Sequence, residues 1–470
     1  MDRLVHLDLK GAPPQITYLE KVVPLVASWG ATGLLVEYED TFPYWEPLEG
    51  VQSSSSYSKK DVQSLLQIAS GCQLIVIPLI QTFGHLEFVL KHNQWSYLRE
   101  VERFPSEVCP SCDDTIPLLE TMITQILTLH PDSPYLHIGC DEVWEMGHCS
   151  NCKKTEMKRE ELFLRHVTRL AHCIKTIQPK IVPIIWDDMI RTTDPQLLKE
   201  SGLSECVEIM VWSYGETLNF PPGMWERYGK TFGKIWVGTA WKGASGVDAL
   251  LPNVNMHIHN HEAWMQLLQS ETAFSSFTFQ GLALTGWSRY DHYAVLCELL
   301  PVGLPSLALC LGTLQQGSFS EWLHSSVSRS LGFREVIPLD PLPRHVIVED
   351  LNQEESFPGS EIYLAVLHLA GVHHRTLELK ATMVFRGWFH DYNVQRKFIN
   401  PRHVELILHQ LTELNESLEK TRKSLGESLK QYVKAEAEWM GCNVEPLSRE
   451  LSCLLSSARE LVLGPPAPST

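Results

Sequence analysis

The stretch YLHIGCDEV, residues 135–143, is an apolar run that ends in two adjacent acids, Asp141 and Glu142. Seven similar β-rich runs alternate with helical patterns, and they begin at Leu4, Thr32, Gln73, Ile181, Val207, Lys234 and Gly281. The runs are continuously apolar, which is typical of parallel strands buried on both faces. Eight such units predict an α/β fold of the (β/α)8 TIM-barrel class. A doubly wound open sheet is the competing fold, but it more often has a Gly-rich turn after its first strand, and DLKGAPP, residues 8–14, is not one.

Nearly every predicted strand ends in polar or aromatic side chains. In chain order these are Asp8 and Lys10, Glu37 and Glu39, Gln81 and His85, Asp141 and Glu142, Asp187 and Asp188, Tyr214, Lys242, and Arg289 with Asp291. In TIM barrels the active site lies at the C-terminal ends of the strands, so we expect these residues to converge on one pocket.

Tryptophans lie at the same level on the last four predicted strands, at Trp186, Trp212, Trp241 and Trp287. A core position is the common role of a single tryptophan. Four at matching positions favour a pocket wall that stacks on a flat, amphipathic ligand, and a sugar ring is the obvious one.

The pattern changes after residue 300 to helices only. We therefore predict a catalytic barrel over residues 1–315 and an all-helical C-terminal region over residues 316–462. From His403 to about Trp439, apolar residues at three- and four-residue spacing predict an amphipathic helix. We expect the helical region to pack on the barrel, with a homodimer contact as the alternative. Residues 463–470 predict a disordered tail.

Charge and composition limit the partners. The 470 residues include 39 basic and 56 acidic side chains, and the net charge of -17 disfavours nucleic acid or an anionic membrane as a partner. No apolar run is long enough to span a membrane, and the N-terminal one is too short and too charged for a signal peptide. The 12 cysteines are spread along the chain, as in reduced intracellular proteins. We expect a cytoplasmic protein, with the nucleus as a further location, that acts on a neutral substrate.

The adjacency of Asp141 and Glu142 constrains what they can do together. Their Cα atoms are about 3.8 Å apart because the backbone fixes that distance. A conventional retaining glycosidase holds its two carboxylates roughly 5 Å apart on opposite faces of the sugar, and an inverting one needs more room. In glycoside cleavage by this pair, the substrate itself would more naturally supply the nucleophile. The alternative is that the pair only places acids in the first turn of a helix.

Three motifs resemble one family of enzymes. HIGCDE, residues 137–142, resembles the His-x-Gly-x-Asp-Glu signature of glycoside hydrolase family 20, the β-N-acetylhexosaminidases. EDTFPY, residues 39–44, and QTFGH, residues 81–85, are also similar to that family. The resemblance implies an exo-acting enzyme that removes terminal β-linked GalNAc or GlcNAc, with a leaning toward galactosaminides, from glycoconjugates. It implies no cofactor.

The resemblance also implies substrate-assisted retention, in which the 2-acetamido oxygen attacks C1 and water later opens the oxazolinium ion. Asp141 would then hold the acetamido N–H. Glu142 would protonate the leaving oxygen, a role that calls for a raised pKa, which the Asp141 charge would help to supply. Substrate-binding positions implied by the motifs are Glu39, His85, Trp186, Trp212 and Trp287.

The chain departs from the family pattern at three places. Lys10 follows the first strand where secreted members have arginine, and Tyr214 on strand six is our substitute for a tyrosine that they place on strand seven. Arg289 stands where they have an acid, so Arg289 or Asp291 is our candidate contact to the sugar hydroxyls. With Asp8, Asp187 and Trp241 at neighbouring strand ends, these residues complete the predicted binding site.

The sequence has two CxxC elements, Cys109 with Cys112 and Cys149 with Cys152. The glycosidase chemistry gives neither of them a role. Reduced thiols without a metal are the preferred interpretation. A four-cysteine zinc site that braces the loop after the acid pair is the first alternative, and a redox pair is the second.

Two other functions stay open at this stage. A catalytically idle sugar-binding barrel would use the same pocket, although binding alone needs no proton donor. A metal-dependent barrel hydrolase would use His85, Asp141, His137 and Asp187 as ligands, although His137 lies inside its predicted strand, where a core role is more common.

Overall fold

The computed structural model describes residues 1–269, 276–341, 356–434 and 436–463. Its strands are β1 (Asp2–Asp8), β2 (Gly33–Glu37), β3 (Ile75–Leu79), β4 (Arg99–Val101), β5 (Phe104–Val108), β6 (Tyr135–His137), β7 (Val182–Trp186), β8 (Glu208–Trp212), β9 (Lys234–Lys242) and β10 (Thr278–Gly286). All except β4 and β5 close into one parallel barrel in the order β1, β2, β3, β6, β7, β8, β9, β10. The predicted (β/α)8 TIM barrel is confirmed.

The barrel closes between its first and last strands. Leu4 of β1 pairs with Gly33 on one side and with Ala283 on the other. Strand β6 is the shortest in the barrel, and its register with β3 is fixed by one pair, Leu79 and His137. The chain therefore leaves regular sheet geometry just before the two acids.

Helices α1 to α10 connect the strands. They are α1 (Ile16–Ser28), α2 (Lys59–Gly71), α3 (Glu87–Leu90), α4 (Thr115–Leu129), α5 (Ser150–Lys154), α6 (Arg159–Ile177), α7 (Pro195–Glu200), α8 (Leu203–Cys206), α9 (Met224–Gly229) and α10 (Val254–Gln269). Helix α2 shows how the sequence starts such an element: Ser58 Oγ accepts from the Asp61 N–H and the Asp61 carboxylate accepts from the Ser58 N–H. Short 3₁₀ helices span Glu39–Thr41, Glu49–Val51, Asn93–Leu98 and Asp188–Ile190.

An antiparallel hairpin, β4–β5, interrupts the third βα connection. It was not predicted, because the sequence REVERFPSEV, residues 99–108, is mostly polar and gives no apolar run. The hairpin stands beside the loop that follows β6, since the carboxylate of Glu107 on β5 accepts from the backbone N–H groups of Trp144 and Glu145.

The C-terminal region is helical in its described parts, as predicted. Helix α11 (Leu300–Gln316) follows β10 and belongs to the predicted barrel range; the later helices are α12 (Glu321–Ser330), α13 (Ser360–Ala381), α14 (Met383–Trp388), α15 (Asp391–Gln395), α16 (Pro401–Tyr432), α17 (Glu436–Asn443) and α18 (Glu445–Leu463). Helix α16 packs against α13 and α18. Among the described residues no helix has both the length and the hydropathy to cross a membrane. The boundary at residue 315 stays a prediction, and the predicted tail lies outside the described residues after Leu463.

The helix predicted from His403 to about Trp439 is broken, and this expectation was wrong in its second part. Helix α16 ends at Tyr432, and α17 begins at Glu436. The break has a physical cause in the barrel: the carbonyl of Tyr432 accepts from the Gln15 N–H at 2.8 Å, and the Lys434 N–H donates to the Pro13 carbonyl at 3.0 Å. These bonds replace helical ones and fasten the segment to the loop between β1 and α1.

We expect Leu418→Ala to lower the free energy of unfolding by about 2–4 kcal/mol, because Leu418 is completely buried on α16 and truncation leaves a cavity. Leu406→Ala on the same helix is the matched control: Leu406 is 57% exposed, and the change should stay within about 0.5 kcal/mol. Urea unfolding of both variants and the wild type measures the difference. Equal losses would contradict the packing of α16 described here.

Candidate active site

A cavity of about 310 Å³ opens at the C-terminal ends of the barrel strands. It is lined by Lys10, Gln81, His85, Asp141, Glu142, Trp186, Trp212, Tyr214, Gly215, Gly243, Ala244, Met256, Trp287 and Tyr290. Eight of these residues are among the predicted site residues: Lys10, His85, Asp141, Glu142, Trp186, Trp212, Tyr214 and Trp287. The strand ends of the barrel thus bring together both acids and three of the four tryptophans.

The backbone after β6 explains how two adjacent acids face one pocket. Gly139, Cys140 and Glu142 have φ values of 65°, 70° and 50°, in the left-handed region that non-glycine residues rarely adopt. At Gly139 a Cβ would also lie 1.8 Å from Gln81 Oε1, so a larger residue there would displace the Gln81 side chain in addition to straining the backbone. The reversed backbone breaks the alternation of a strand, in which Asp141 and Glu142 would point to opposite faces.

His85 lies between the two acids. Its Nε2 is 3.1 Å from Glu142 Oε2 and 3.5 Å from Asp141 Oδ2. Burial alone would lower the pKa of His85, but the Asp141 charge and the Glu142 hydrogen bond outweigh it and raise that pKa to about 10. The imidazole is therefore a cation at neutral pH and donates to Glu142.

The pKa values of Asp141 and Glu142 are shifted in opposite directions. The hydrogen bond from His85 holds the pKa of Glu142 below its usual value. This differs from the sequence-based expectation of a raised pKa, because the expectation counted the Asp141 charge but not the His85 cation that donates to Glu142. Burial raises the pKa of Asp141, against the attraction of His85. Asp141 Oδ1 is buried and has no hydrogen-bond partner among the described residues, so this oxygen is free for a ligand.

Asp188 holds two parts of the pocket in place. Its Oδ2 accepts from the Glu142 N–H at 2.9 Å, and its Oδ1 accepts from Trp212 Nε1 at 3.2 Å. Burial, with Asp141 nearby, raises the pKa of Asp188 to about 7. Sequence reasoning placed Asp188 at a strand end but gave it no role, because the DD pair does not show which acid faces the pocket.

An aromatic wall forms one side of the cavity. Trp212 stacks on Tyr214 with ring centroids 5.1 Å apart, and Tyr214 lies 6.5 Å from Trp287. Trp186 is 6.1 Å from Trp287, and its buried Nε1 has no partner in the described chain. Burial raises the pKa of Tyr214, so its hydroxyl keeps its proton and can donate.

Lys10 enters the cavity from a buried charge network. Its ammonium is 3.2 Å from Asp8 Oδ2 and 3.1 Å from Glu37 Oε1, and it lies 4.9 Å from the Trp287 ring centroid. Burial would lower its pKa, but Asp8, Glu37 and Glu39 together raise it, so Lys10 stays charged. Asp8 also accepts from the Ser288 N–H at 2.7 Å.

The structure does not place Asp8 and Glu39 at the cavity, where they were predicted. The Asp8 carboxylate contacts the Lys10 ammonium and accepts from the Ser288 N–H instead. Glu39 is 5% exposed, and its carboxylate lies 3.8 Å from Lys10 and 3.2 Å from His292. Both acids lie behind Lys10 and face its ammonium, and of these three residues only Lys10 lines the cavity.

Trp241 and Asp187 also lie outside the cavity, contrary to the prediction. Trp241 is completely buried and packs on Gly286 and Gly303, where added Cβ atoms would lie within 2.5 Å of its ring. Asp187 is completely buried and accepts from Arg191 at 2.8 and 2.9 Å and from the Tyr228 hydroxyl at 2.9 Å. The tryptophans therefore do not lie at one level, although they were predicted to: Trp212 pairs with Gly238 of β9, three residues before Trp241, and an odd offset puts the two side chains on opposite faces of the sheet.

Arg289 and Asp291, our candidates for the sugar hydroxyls, do not line the cavity either. Arg289 donates to Glu438 Oε1 of α17 at 2.6 Å and joins the barrel to the helical region. Asp291 accepts from the N–H groups of Tyr293 and Ala294 and shapes its own turn. Tyr290, between them, lines the cavity instead. Gln81 and Met256 also line it: Gln81 was visible as a strand end, whereas nothing in the sequence marks Met256.

Comparison with known proteins identifies the family of this chain. A family model described as the catalytic domain of glycosyl hydrolase family 20 matches residues 21–219. Human Hexosaminidase D is 39% identical over 485 residues, which covers 100% of this chain and 96% of the human protein. The chain belongs to glycosyl hydrolase family 20. Bovine Hexosaminidase D is 42% identical over 337 residues, covering 70% of this chain and 96% of that protein.

The fold of this family 20 hydrolase also has a counterpart among solved structures. A crystal structure described as a β-N-acetylhexosaminidase superimposes with a TM-score of 0.51, at 16% identity, over 70% of this chain and 74% of that one. At that identity the likeness concerns the fold alone. The predicted enzyme class, a glycoside hydrolase of the β-N-acetylhexosaminidase family, is confirmed by the family match and the human relative.

The residues of the metal-dependent alternative do not meet in this family 20 hydrolase. Of the four proposed ligands, His85 and Asp141 line the cavity, whereas Asp187 is bound to Arg191. His137 is completely buried, and burial lowers its pKa to about 3. The His137 Nδ1 accepts from the Gly139 N–H at 3.1 Å, so His137 holds the start of the loop that carries Asp141.

The charge on His85 predicts a pH-dependent contribution to the stability of this hydrolase. A histidine whose pKa is raised on folding stabilises the native state fully below its unfolded pKa of about 6.5, and the contribution is lost as pH rises through the folded value. With that value near 10, His85→Gln should cost on the order of 2–4 kcal/mol at pH 6 and much less at pH 10. Urea unfolding at several pH values tests this.

His148→Gln is the control for that series, because His148 is largely exposed, with its Nδ1 hydrogen-bonded to its own loop at Glu145. Its unfolding should match the wild type across the range. A loss for His85→Gln that is the same at pH 6 and pH 10 would show that shape, not charge, is what His85 contributes.

Proposed function

We propose that this protein is an exo-acting β-N-acetylhexosaminidase that removes terminal β-linked N-acetylhexosamine from glycoconjugates by substrate-assisted, retaining hydrolysis. The observation that carries the proposal is that Asp141 and Glu142 reach the same aromatic-walled cavity, with Asp141 Oδ1 buried and unpartnered among the described residues. Two acids so close cannot lie on opposite faces of a sugar ring as an acid and a nucleophile do. The nucleophile is then the substrate's own acetamido oxygen.

In the first step the acetamido carbonyl oxygen attacks C1 while the glycosidic C1–O bond breaks, and the leaving oxygen takes a proton. Asp141 Oδ1 would accept the acetamido N–H and stabilise the positive charge that develops on the oxazolinium ion. The Tyr214 hydroxyl, which keeps its proton, would donate to the acetamido oxygen and hold it below C1. Water then attacks C1 on the face that the leaving group left, which gives retention.

Glu142 would carry the proton in both steps. In the free enzyme the His85 hydrogen bond lowers its pKa, so the proton of the pair rests on the imidazole. The Glu142 side chain is 42% exposed, and a bound sugar would exclude water from it. Desolvation disfavours the carboxylate and moves the proton from His85 Nε2 to Glu142, which can then donate it.

The shape of the cavity supports exo action. The volume of about 310 Å³ and the aromatic side chains suit one sugar ring stacked on the wall. Trp186 is buried at the base, beside the core of the barrel, and leaves no passage for a chain that continues beyond the bound ring.

We expect Glu142→Gln to lower kcat/KM on N-acetylhexosaminides with poor leaving groups by about 10²–10⁴-fold, because the amide cannot donate or accept the proton. On nitrophenyl substrates, whose leaving group needs no acid, azide should restore much of the rate by replacing the activated water. The measurement is initial rates on both substrate types, with and without azide.

Glu145→Gln provides the control, since Glu145 lies three residues away, outside the cavity lining, and should keep wild-type rates. Full activity of Glu142→Gln would exclude the proposed role.

A thiazoline mimic of the oxazolinium ion should inhibit the wild type and bind Asp141→Asn much more weakly. Binding of a sugar by the wild type without any turnover would favour the idle sugar-binding alternative instead.

We further propose that the enzyme accepts both C4 configurations and leans toward galactosaminides. Lys10 stands where secreted members have arginine, and its ammonium is one point charge already held by Asp8 and Glu37. A rigid guanidinium fork fixes the direction of two hydrogen bonds, whereas a single ammonium accommodates an equatorial or an axial 4-hydroxyl.

We therefore expect kcat/KM on an aryl GalNAc glycoside to be at least equal to kcat/KM on the matching aryl GlcNAc glycoside. Lys10→Arg should shift the ratio several-fold toward GlcNAc, because the fork discriminates more sharply. Paired rates on the two substrates test the ratio. Lys91→Arg is the matched control, as Lys91 contacts Asp40 and His292 outside the cavity lining. An unchanged ratio in Lys10→Arg would remove Lys10 as the selective residue.

A further inference from the structure

We propose that Glu100, Cys109, Cys149 and Cys152 form a structural zinc site that fastens the loop after Glu142 to the β4–β5 hairpin. One ligand atom from each of the four residues lies within 4.8 Å of all the others. The ligands come from three segments: β4, the end of β5, and the start of α5. The site is separate from the cavity, and the inference does not rest on the proposed function.

The distances match tetrahedral coordination. Cys109 Sγ is 3.3 Å from Cys149 Sγ and 3.7 Å from Cys152 Sγ. Zinc–sulfur bonds of about 2.3 Å at tetrahedral angles place sulfurs roughly 3.8 Å apart, whereas a disulfide holds them at about 2.05 Å. Glu100 Oε2 lies 3.3 Å from Cys152 Sγ, close to the roughly 3.6 Å expected of an oxygen and a sulfur on one zinc ion.

Glu100 also needs a cation. The residue is 3% exposed, and its polar contacts in the described chain are the Cys149 N–H, at 2.8 Å from Oε1, and the Cys152 thiol. A buried carboxylate with no cation in direct contact is costly, and neither of these contacts of Glu100 is with a cation. A divalent metal between Glu100 and the three sulfurs removes that cost, and thiolate ligands select zinc over the harder Mg²⁺ and Ca²⁺.

The surroundings orient the sulfurs. The Cys152 N–H donates to Cys149 Sγ at 3.2 Å, and Ser111 Oγ lies 3.3 Å from Cys152 Sγ. Arg165 donates to Ser111 Oγ at 2.7 Å and brings a positive charge close to the thiolates. Hydrogen bonds of this kind, one layer behind the ligands, hold the ligands of a metal in place.

Cys112 is not a ligand, which corrects the four-cysteine site considered from the sequence. Only Cys109 of the first CxxC element belongs to the cluster; the Cys112 sulfur is not among the ligand atoms that meet there. Glu100 takes the fourth position. It belongs to the hairpin that sequence reasoning missed, so no spacing rule could have included it. All four positions are protein ligands, as in closed structural zinc sites.

The site would act on the active-site loop through its two ends. Residues 141–149 run from the acid pair to Cys149, and the middle is held by Glu107 of β5 through the Trp144 and Glu145 N–H groups. A metal at Cys149 would fix the far end to the same hairpin, so that the loop can move only together with β4–β5.

The test is metal analysis of the full chain, purified without a polyhistidine tag after growth in zinc-supplemented medium. We expect about one zinc per chain in the wild type. Cys112→Ser is the matched control and should keep it, whereas Cys109→Ser and Cys152→Ser should lose it. Circular dichroism identifies variants that fail to fold.

Two variants of Glu100 keep the test decisive if a cysteine variant does not fold. Glu100→Gln should weaken zinc binding by about 10-fold or more, and Glu100→His should keep it, because the imidazole Nε2 reaches about as far as the carboxylate and completes a three-cysteine, one-histidine set. Cobalt(II) titration of the metal-depleted protein reports the ligands, since the thiolate-to-metal absorption of Glu100→His should match that of the wild type, with three thiolates in each.

Three outcomes would overturn the inference. The first is a folded wild type without zinc that shows no thiolate absorption with cobalt(II). The second is zinc that is lost in Cys112→Ser and kept at full affinity in Glu100→Gln, which would mean a four-cysteine site. The third is a disulfide among these cysteines, detected by the mass of the intact protein before and after reduction.

Discussion

One covalent constraint governs the active site: the two acids are neighbours in the chain. A peptide unit sets the separation of their Cα atoms, and a regular strand would send the side chains to opposite faces. The protein resolves this by ending β6 at His137 and reversing the backbone at Cys140 and Glu142. Glycine at 139 adopts φ 65° at little cost and leaves the Gln81 side chain in place, since a Cβ there would meet its Oε1.

The reversal is costly, and the surrounding structure holds it in place. A left-handed non-glycine residue costs about 1–3 kcal/mol. In the described ranges seven such residues occur, and four of them, Glu39, His85, Cys140 and Glu142, follow β2, β3 or β6 at the mouth of the barrel. Asp188 and Glu107 accept backbone N–H groups of the loop, and His85 balances the charge of both acids. Backbone strain and charge compensation are thus concentrated in the same place.

The sequence was sufficient for the fold because buried parallel strands have a distinctive pattern. Each of the eight predicted runs overlaps one barrel strand, although β1 and β10 begin two and three residues earlier than predicted, and the acid pair, His85 and three tryptophans line the cavity. The sequence could not predict which side of the barrel wall a residue at the end of a strand faces. Trp212 pairs with Gly238 of β9, so Trp241 lies three residues beyond that level; Trp241 packs into the core, whereas Trp212 faces the cavity. Such choices depend on barrel tilt and on tertiary partners such as Arg191 and Glu438, which no local pattern encodes.

Contacts between distant parts of the chain also set the order in which the protein can be completed. The loop after β1, which carries Lys10 to the cavity, is held by Tyr432 and Lys434, and Arg289 is held by Glu438. Synthesis proceeds from the N-terminus, so the barrel strands leave the ribosome long before these partners exist. A nascent barrel therefore has an unfinished rim until translation has passed residue 438, and the mature pocket belongs to the whole described chain rather than to the barrel alone.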